Sequence, residues 1–514
     1  MTEQSADPSV GPALTRQQAL AELSAPGQPY ELREIEAMGR RCRAFVNAPP
    51  TLRDLYESTR SDAVFMVYDD EHLTYEQVWR KSCRLAHVMV EQYGVKKGDR
   101  VAISMRNYPE WIIAFDAATS IGAIAVAMNA LWQSDEIDYA LNDSTPRLAI
   151  FDQERLERFA HCEHPPAGLG VIVVRNKGPL LAGAVDWETV MAGPETDVMP
   201  PADLSPDDDT LMLYTSGSTG HPKGAVSTHR NIISALLSWE LDWATMARMA
   251  VSAVEPAQNP AALLAVPLFH VSGLHVSHLS SYRAQRKLVL MYKWDAEKAA
   301  ELIERERITS VSAPAAMTGD LVEVARRTHR DLTSLVALGG GGAPRAPEQV
   351  RAIDQTLPNA TPNIGWGMTE TNAIGTGHSG VDYLARPTSS GRVSPVLDIR
   401  VVDEAGNVLG PNQRGELQIR GTSIMRGYWN RPEANAQTFD GEWMRTGDVA
   451  TIDEDGFMYI VDRIKELVIR GGENIGCGSV EAAILEHPDV LEASVYGVPD
   501  DRLGEELGLG LLHQ

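Results

Sequence analysis

The densest chemistry in the sequence is the run Leu211-Met-Leu-Tyr-Thr-Ser-Gly-Ser-Thr-Gly-His-Pro-Lys-Gly224. An apolar strand leads into Thr215, Ser216, Gly217, Ser218, Thr219 and Gly220, and Lys223 follows. Glycines let a backbone curl around an anion, exposed N–H groups and hydroxyls donate to its oxygens, and a lysine adds positive charge. The run therefore predicts a phosphate cradle. It is not GxxxxGK[ST], because Gly224 follows the lysine, and it is not GxSxG. A plain surface loop is the blander reading, but small and hydroxyl residues in this order, closed by Pro-Lys-Gly, argue against it.

Four further runs carry chemistry-bearing residues. They are Gly365-Trp-Gly-Met-Thr-Glu370, Thr446-Gly-Asp448, Asp462-Arg-Ile-Lys-Glu-Leu467 and Val266-Pro-Leu-Phe-His270-Val-Ser-Gly273. Taken singly, Trp366 reads as core, Glu370 as an acid at a helix start, Asp448 or Arg463 as a surface charge, and His270 as a core imidazole on an apolar strand. Taken together and in this order, they resemble the adenylate-forming superfamily of acyl-CoA synthetases, peptide-synthetase adenylation domains and luciferases. The resemblance runs from about residue 51 to the C-terminus, and among its branches it is nearest to the fatty acyl-CoA ligases.

That resemblance implies a role for each matching position. Thr215–Gly220 and Lys223 would hold the phosphates of ATP. Trp366 would offer its flat face to the adenine, flanked by Gly367, Met368 and the backbone of Gly342, Ala343 and Pro344. Thr369 would hydrogen-bond a phosphate, and Glu370 is a hard carboxylate suited to Mg²⁺. Asp448, with Arg463 and Ile460 beside it, would hold the ribose, since a carboxylate accepts two hydrogen bonds from a cis-diol. Lys465 would be the hinge of a mobile C-terminal domain, and Gly471 and Gly472 would line a channel for the thiol arm of coenzyme A. His270 would gate the acyl tunnel, and Trp239, Leu274, His275, Gly340 and Gly341 would line the acyl pocket. Lys223, Thr369, Glu370 and His270 are the expected catalytic set. The implied reaction is activation of a carboxylic acid by ATP, then thioester formation with coenzyme A. A medium- or long-chain fatty acid is the first substrate expected, and an aryl or other small acid the second. A catalytically inactive nucleotide-binding protein is the reading of another class.

That last reading has a motive. The family places an essential lysine in a Pro-x-x-x-x-Gly-Lys stretch near the end of the small domain, and this sequence ends at Leu511-Leu-His-Gln514 without one. The expectation is a shortened sequence that activates carboxylates poorly as it stands.

The elements that must position these residues are predicted as follows. Short strands near 100–104, 123–128, 147–151, 171–174, 287–291 and 336–339 alternate with amphipathic helices, which implies α/β layers with largely parallel sheets. After residue 390, strands near 398–403, 415–420, 449–453 and 457–462 are separated by acid-Gly turns, implying antiparallel hairpins and a small, barrel-like β subdomain. A strand at 467–469, a helix at 479–486 and a strand at 491–497 begin a small α+β domain that is incomplete here. The boundaries expected are an extension over 1–50, a core over 51–390, a β subdomain over 391–463 and a partial mobile domain over 464–514. Within the extension, residues 1–28 read as loose and 30–45 as a helix.

Composition narrows the field. With 514 residues one core is too few, and 43% hydrophobic with 23% charged residues is ordinary for a globular protein. A net charge of −24 disfavours a nucleic-acid surface. The four cysteines, Cys42, Cys83, Cys162 and Cys477, show no CxxC spacing, so reduced thiols in a cytoplasmic protein are expected. The most apolar stretch, 117–134, is broken by Gly122, Asn129 and Gln133 and reads as a buried helix running into a strand, not an integral membrane segment. Small-molecule partners are expected, with a homodimer compatible with the sequence.

Overall fold

The computed structural model describes residues 14–215, 221–249, 259–342, 345–463, 467–470, 473–485, 487, 490–500 and 504–513. Two large sheets form its body. In the eight-stranded sheet, Arg100–Ser104 lies between Ile124–Ala127 and Leu148–Asp152, all parallel, with Gly170–Val174 beyond. These strands are rich in Val, Ile and Ala and almost wholly buried, as parallel strands covered on both faces must be. The helix Pro109–Ser120 is buried along its whole length and feeds Ile124–Ala127, so 117–128 is core, while Leu131 and Gln133 beyond it are exposed. Among the described residues no helix is long and apolar enough to cross a membrane.

The second sheet has fourteen strands. Its parallel half contains Ala261–Leu264, Lys287–Leu290, Ser310–Ser312, Ala337–Gly340 and Thr361–Trp366. From Thr376–Ser379 onward the pairing turns antiparallel, through Gly391–Val393 to Phe457–Arg463, Trp443–Ile452, Gly415–Arg420 and Asp398–Val402. The acid-Gly turns form as predicted. Asp403 accepts from the N–H groups of Ala405 and Asn407, and Asp453 from those of Asp455 and Phe457. A third sheet of four strands places Gly504–His513 between Leu467–Arg470 and Val490–Asp500, next to the helix Cys477–Ile484.

The extension departs from expectation. Residues 30–45 form no helix; Leu32–Ala37 and Arg40–Phe45 make an antiparallel hairpin through Met38 and Gly39, whose φ angles are 53° and 70°. Nor is the stretch before it loose throughout. Arg16–Leu23 is a helix capped by Thr15, and Arg16 reaches Asp242 and the Val393 carbonyl.

The hairpin is tied down by its arginines. Arg43 donates to the Leu397 carbonyl and to Asp398. Arg40 donates to the Met425 carbonyl, and its guanidinium lies 4.4 Å over the Phe439 ring.

Candidate active site

The strands Asp209–Thr215 and Lys223–Thr228 pair antiparallel with Thr215 opposite Lys223, so the two ends of the hydroxyl- and glycine-rich run lie side by side. Its far side is pinned. Tyr139 stacks on His221 at 4.3 Å between ring centroids and donates to the Pro222 carbonyl at 3.1 Å. Gly224 packs so closely on Met212 that an added Cβ would lie 2.7 Å from the sulfur. Lys223 is thereby held at a strand start, with its ammonium 4.7 Å from the centroid of the Tyr428 ring.

Tyr428 links this lysine to the Trp-Gly-Met-Thr-Glu run. Its hydroxyl donates to Glu370 Oε1 at 2.7 Å, and its strand, Gly427–Tyr428, pairs with Ala225 and Val226. Glu370 is 7% exposed, in the single turn Thr369–Thr371 that follows Trp366. Its carbonyl accepts from Met425 N–H. Burial, and then the Glu370 charge, push the Tyr428 hydroxyl above its ordinary range, so it stays a donor.

Trp366 ends the strand Thr361–Trp366 and wedges between two apolar clusters, one holding Ile374 and Leu397, the other Val401 and Leu417. Ile460 packs against the second cluster. The indole N–H donates to Asp448 Oδ2 at 2.8 Å, so the two residues expected at the base and at the ribose touch directly. Gly375 lies against the indole; a Cβ there would be 2.5 Å from the ring. Asp448 sits opposite Arg463 in the pairing of Trp443–Ile452 with Phe457–Arg463. Gly367 passes close to the Ala373 carbonyl, and Met368 packs with Ile374 and Leu397.

On the acyl side, Gly339, Gly340 and Gly341 bring three backbones together. Added Cβ atoms would lie 2.1 Å from the Asn363 carbonyl oxygen, 2.4 Å from that of Ala313 and 2.4 Å from that of Gly365. Gly342 continues this run with a φ of 89°. Trp239, on the helix His229–Met249, spans the main core and the cluster around Ile374. Leu274 and His275 are fully buried, and His275 Nε2 meets Asn372 Oδ1 at 2.9 Å.

The segment carrying His270 is not a strand. The strand ends at Leu264, a turn follows, and Ser272–Leu279 is a π-helix. Gly273, in the first turn of that helix, lets it close onto the preceding turn, since a Cβ there would fall 2.1 Å from the Pro267 carbonyl oxygen. His270 reaches solvent, yet the walls around it desolvate the ring and lower its pKa below the ordinary 6.5, leaving the imidazole neutral at pH 7. Beside it lies a cavity of about 160 Å³ lined by Arg106, Phe269, Tyr292, Lys293, Trp294 and Met317 among others.

Ser216, Gly217, Ser218, Thr219, Gly220, Ala343, Pro344, Lys465, Gly471 and Gly472 lie outside the described residues. Of Arg463 only the backbone is described. The structure joins Lys223 and Glu370 through Tyr428, and separately pairs Trp366 with Asp448. It adds two residues that sequence reasoning passed over. Tyr428 lay in an ordinary-looking Gly-Tyr-Trp run. Asn107 clamps the His270 turn by donating to the Val266 carbonyl and accepting from Leu268 N–H.

A layered α/β body, with Lys223 at a strand start and the buried Glu370 meeting on one tyrosine, is that of the adenylate-forming enzymes. The chain belongs to the AMP-binding enzyme family, whose model matches residues 56–429. It is 31% identical over 455 residues to the long-chain-fatty-acid–CoA ligase FadD13 of Mycobacterium tuberculosis, covering 87% of this chain and 84% of that protein. It is 33% identical over 447 residues to a feruloyl-CoA synthase of Amycolatopsis, covering 84% of this chain and 82% of that one. Among solved structures, the o-succinylbenzoate coenzyme A synthetase MenE of Bacillus subtilis, in complex with ATP and magnesium ion, superposes with a TM-score of 0.76 at 26% identity, covering 90% of each chain. The protein is an AMP-forming acyl-CoA synthetase, with ATP, Mg²⁺ and coenzyme A as its co-reactants.

Proposed function

We propose that the acid this enzyme activates is a medium- or long-chain fatty acid. The observation that carries this is the character of the expected pocket. Its expected lining is the run Gly339–Gly341, which carries no side chains, with apolar Trp239 and Leu274, the latter wholly buried. A hydrocarbon chain gains from such a lining at roughly 25 cal/mol per Å² buried.

The chemistry follows from these two sets of residues. A carboxylate oxygen attacks the α-phosphorus of ATP; the new O–P bond forms as the bond to pyrophosphate breaks. Lys223 and the N–H groups and hydroxyls of its loop balance the phosphate charge. Among the described residues no three acids, histidines or cysteines gather as a metal cage. Glu370 fits a Mg²⁺ bound mostly through phosphate oxygens, because Tyr428 occupies one of its oxygens and leaves the other without a hydrogen-bond partner among the described residues. Bound there, Mg²⁺ would supply positive charge for the phosphates. Asp448 takes the ribose hydroxyls while Trp366 holds its orientation. In the second half-reaction the thiol of coenzyme A attacks the acyl carbon and AMP leaves, with neutral His270 free to swing aside.

An aryl acid is the second reading, favoured by the flat slot that Trp239 and three glycines would form. The deciding experiment measures pyrophosphate release, with and without coenzyme A, on hexadecanoate, dodecanoate, octanoate, 4-coumarate, ferulate and benzoate. Turnover confined to the three aromatic acids would overturn the fatty-acid assignment.

A further inference from the structure

Lys223 and Glu370 are a cation and an anion on adjoining strands and turns of one site, and neither forms an ion pair among the described residues. What stands between them is Tyr428. Its hydroxyl donates to Glu370 Oε1 at 2.7 Å, and its ring face receives the Lys223 ammonium 4.7 Å from the centroid. The tyrosine itself is 8% exposed, and its backbone is fixed twice by Asn435, whose Oδ1 accepts from Tyr428 N–H at 2.7 Å and whose Nδ2 donates to the Tyr428 carbonyl at 3.0 Å. Gly427, next to it, passes within 3.0 Å of the same asparagine side chain, measured to a built Cβ.

A lysine and a carboxylate sharing a cleft attract each other strongly when water is scarce. If they closed into a pair, each would have to be pulled free before it met phosphate or metal. An aromatic ring avoids this, because its face attracts a cation without neutralising it. The hydroxyl does the matching task for the acid, fixing one oxygen so that the other points in a set direction.

We propose that Tyr428 is a positioning residue for adenylation: it keeps Lys223 and Glu370 from pairing and holds one for phosphate and the other for Mg²⁺. This rests on the reading that both residues face ATP. It gives the Gly427-Tyr428 run a role in nucleotide binding, in place of a purely architectural one.

Two variants separate the parts. Tyr428→Phe removes only the hydroxyl, and Tyr428→Leu removes the ring face as well. The measurements are calorimetric binding of ATP with EDTA, calorimetric binding of ATP across a Mg²⁺ titration, and circular dichroism to verify the fold. Tyr428→Phe should bind metal-free ATP as the parent does, yet need about tenfold more Mg²⁺ for half-saturation, the usual penalty for losing an outer-shell partner. Tyr428→Leu should also lose metal-free ATP affinity several-fold, and adding Glu370→Gln should restore it, because the competing carboxylate charge is then gone. A parent-like Mg²⁺ dependence in Tyr428→Phe, or no restoration in the double variant, overturns the proposal. Glu370→Gln and Lys223→Ala alone test the underlying reading. If the first leaves the Mg²⁺ dependence unmoved and the second leaves metal-free ATP binding unmoved, the site assignment fails before Tyr428 is at issue.

Discussion

Lys223 is the single residue on which most of the proposed charge balance rests. Replacing it with alanine should lower pyrophosphate exchange about a hundredfold, near the ~3 kcal/mol typical of one electrostatic stabiliser in an active site. Exchange at the parent rate would take this lysine out of the chemistry. Trp366 makes a subtler test, because its indole N–H holds Asp448. Trp366→Phe keeps an aromatic face but drops that hydrogen bond, worth about 1.5–3 kcal/mol when the acceptor is charged. Since ribose contacts change little between ground and transition states, the KM for ATP should rise roughly tenfold or more while kcat stays within about twofold. A fall in kcat with KM unchanged would place Trp366 elsewhere in the reaction. At this scale residue type and neighbours single out Lys223, Trp366, Glu370 and Asp448 in the sequence, and the structure adds the contacts that Trp366 makes with Asp448 and that Tyr428 makes with Lys223 and Glu370. The sequence was silent on Tyr428, whose acid partner lies 58 residues away and whose role exists only once two strands pair.

Among the elements, the π-helix Ser272–Leu279 and the turn before it depend on Gly273. Gly273→Ala would drive a methyl into the Pro267 carbonyl, and the turn would have to open. A loss of about 1–3 kcal/mol is expected from such overpacking, read as a lower thermal midpoint, and a midpoint equal to the parent's would show the turn to be soft. The strands and the acid-Gly turns were legible, because buried parallel strands need runs of Val, Ile and Ala, and because Asp403 and Asp453 bind their own turns. The N-terminal hairpin was not. Leu32 and Ile35 are three apart, which imitates a helix face, and Met38-Gly39 lacks the Asn, Asp or Gly that marks the first position of such a turn. The hairpin is chosen by what it docks on, the Leu397, Asp398, Met425 and Phe439 surface, and that information sits far along the chain.

For the molecule as a whole, buried histidines set its response to acid. Burial pushes His229 down to about 4, His275 to about 4 and His278 to about 3. These groups are neutral in the native state but take up protons near pH 6.5 once unfolded, so stability is fully present above 6.5 and falls as the pH drops toward 4. Asp242, raised by burial to about 6, works in the opposite sense, since its native form holds a proton that the unfolded form has released. His229 can be isolated from the rest. His229→Gln should lose about 2 kcal/mol less than the parent between pH 7 and pH 5, measured by urea unfolding at each pH. Equal losses in both proteins would mean that His229 is charged in the native state.

The Arg43 contacts also set a clock on biosynthesis. The guanidinium meets its Leu397 carbonyl partner 354 residues further along the chain. At a translation rate of about 5–20 residues per second, the hairpin waits roughly 20–70 s after its own synthesis before that carbonyl exists. Through that interval two short strands stand with open edges and no surface to lie on. The first-made hairpin is thus among the last pieces to find its seat, and a protease added to stalled ribosomes should cut at 32–45 until nascent chains extend well past residue 439.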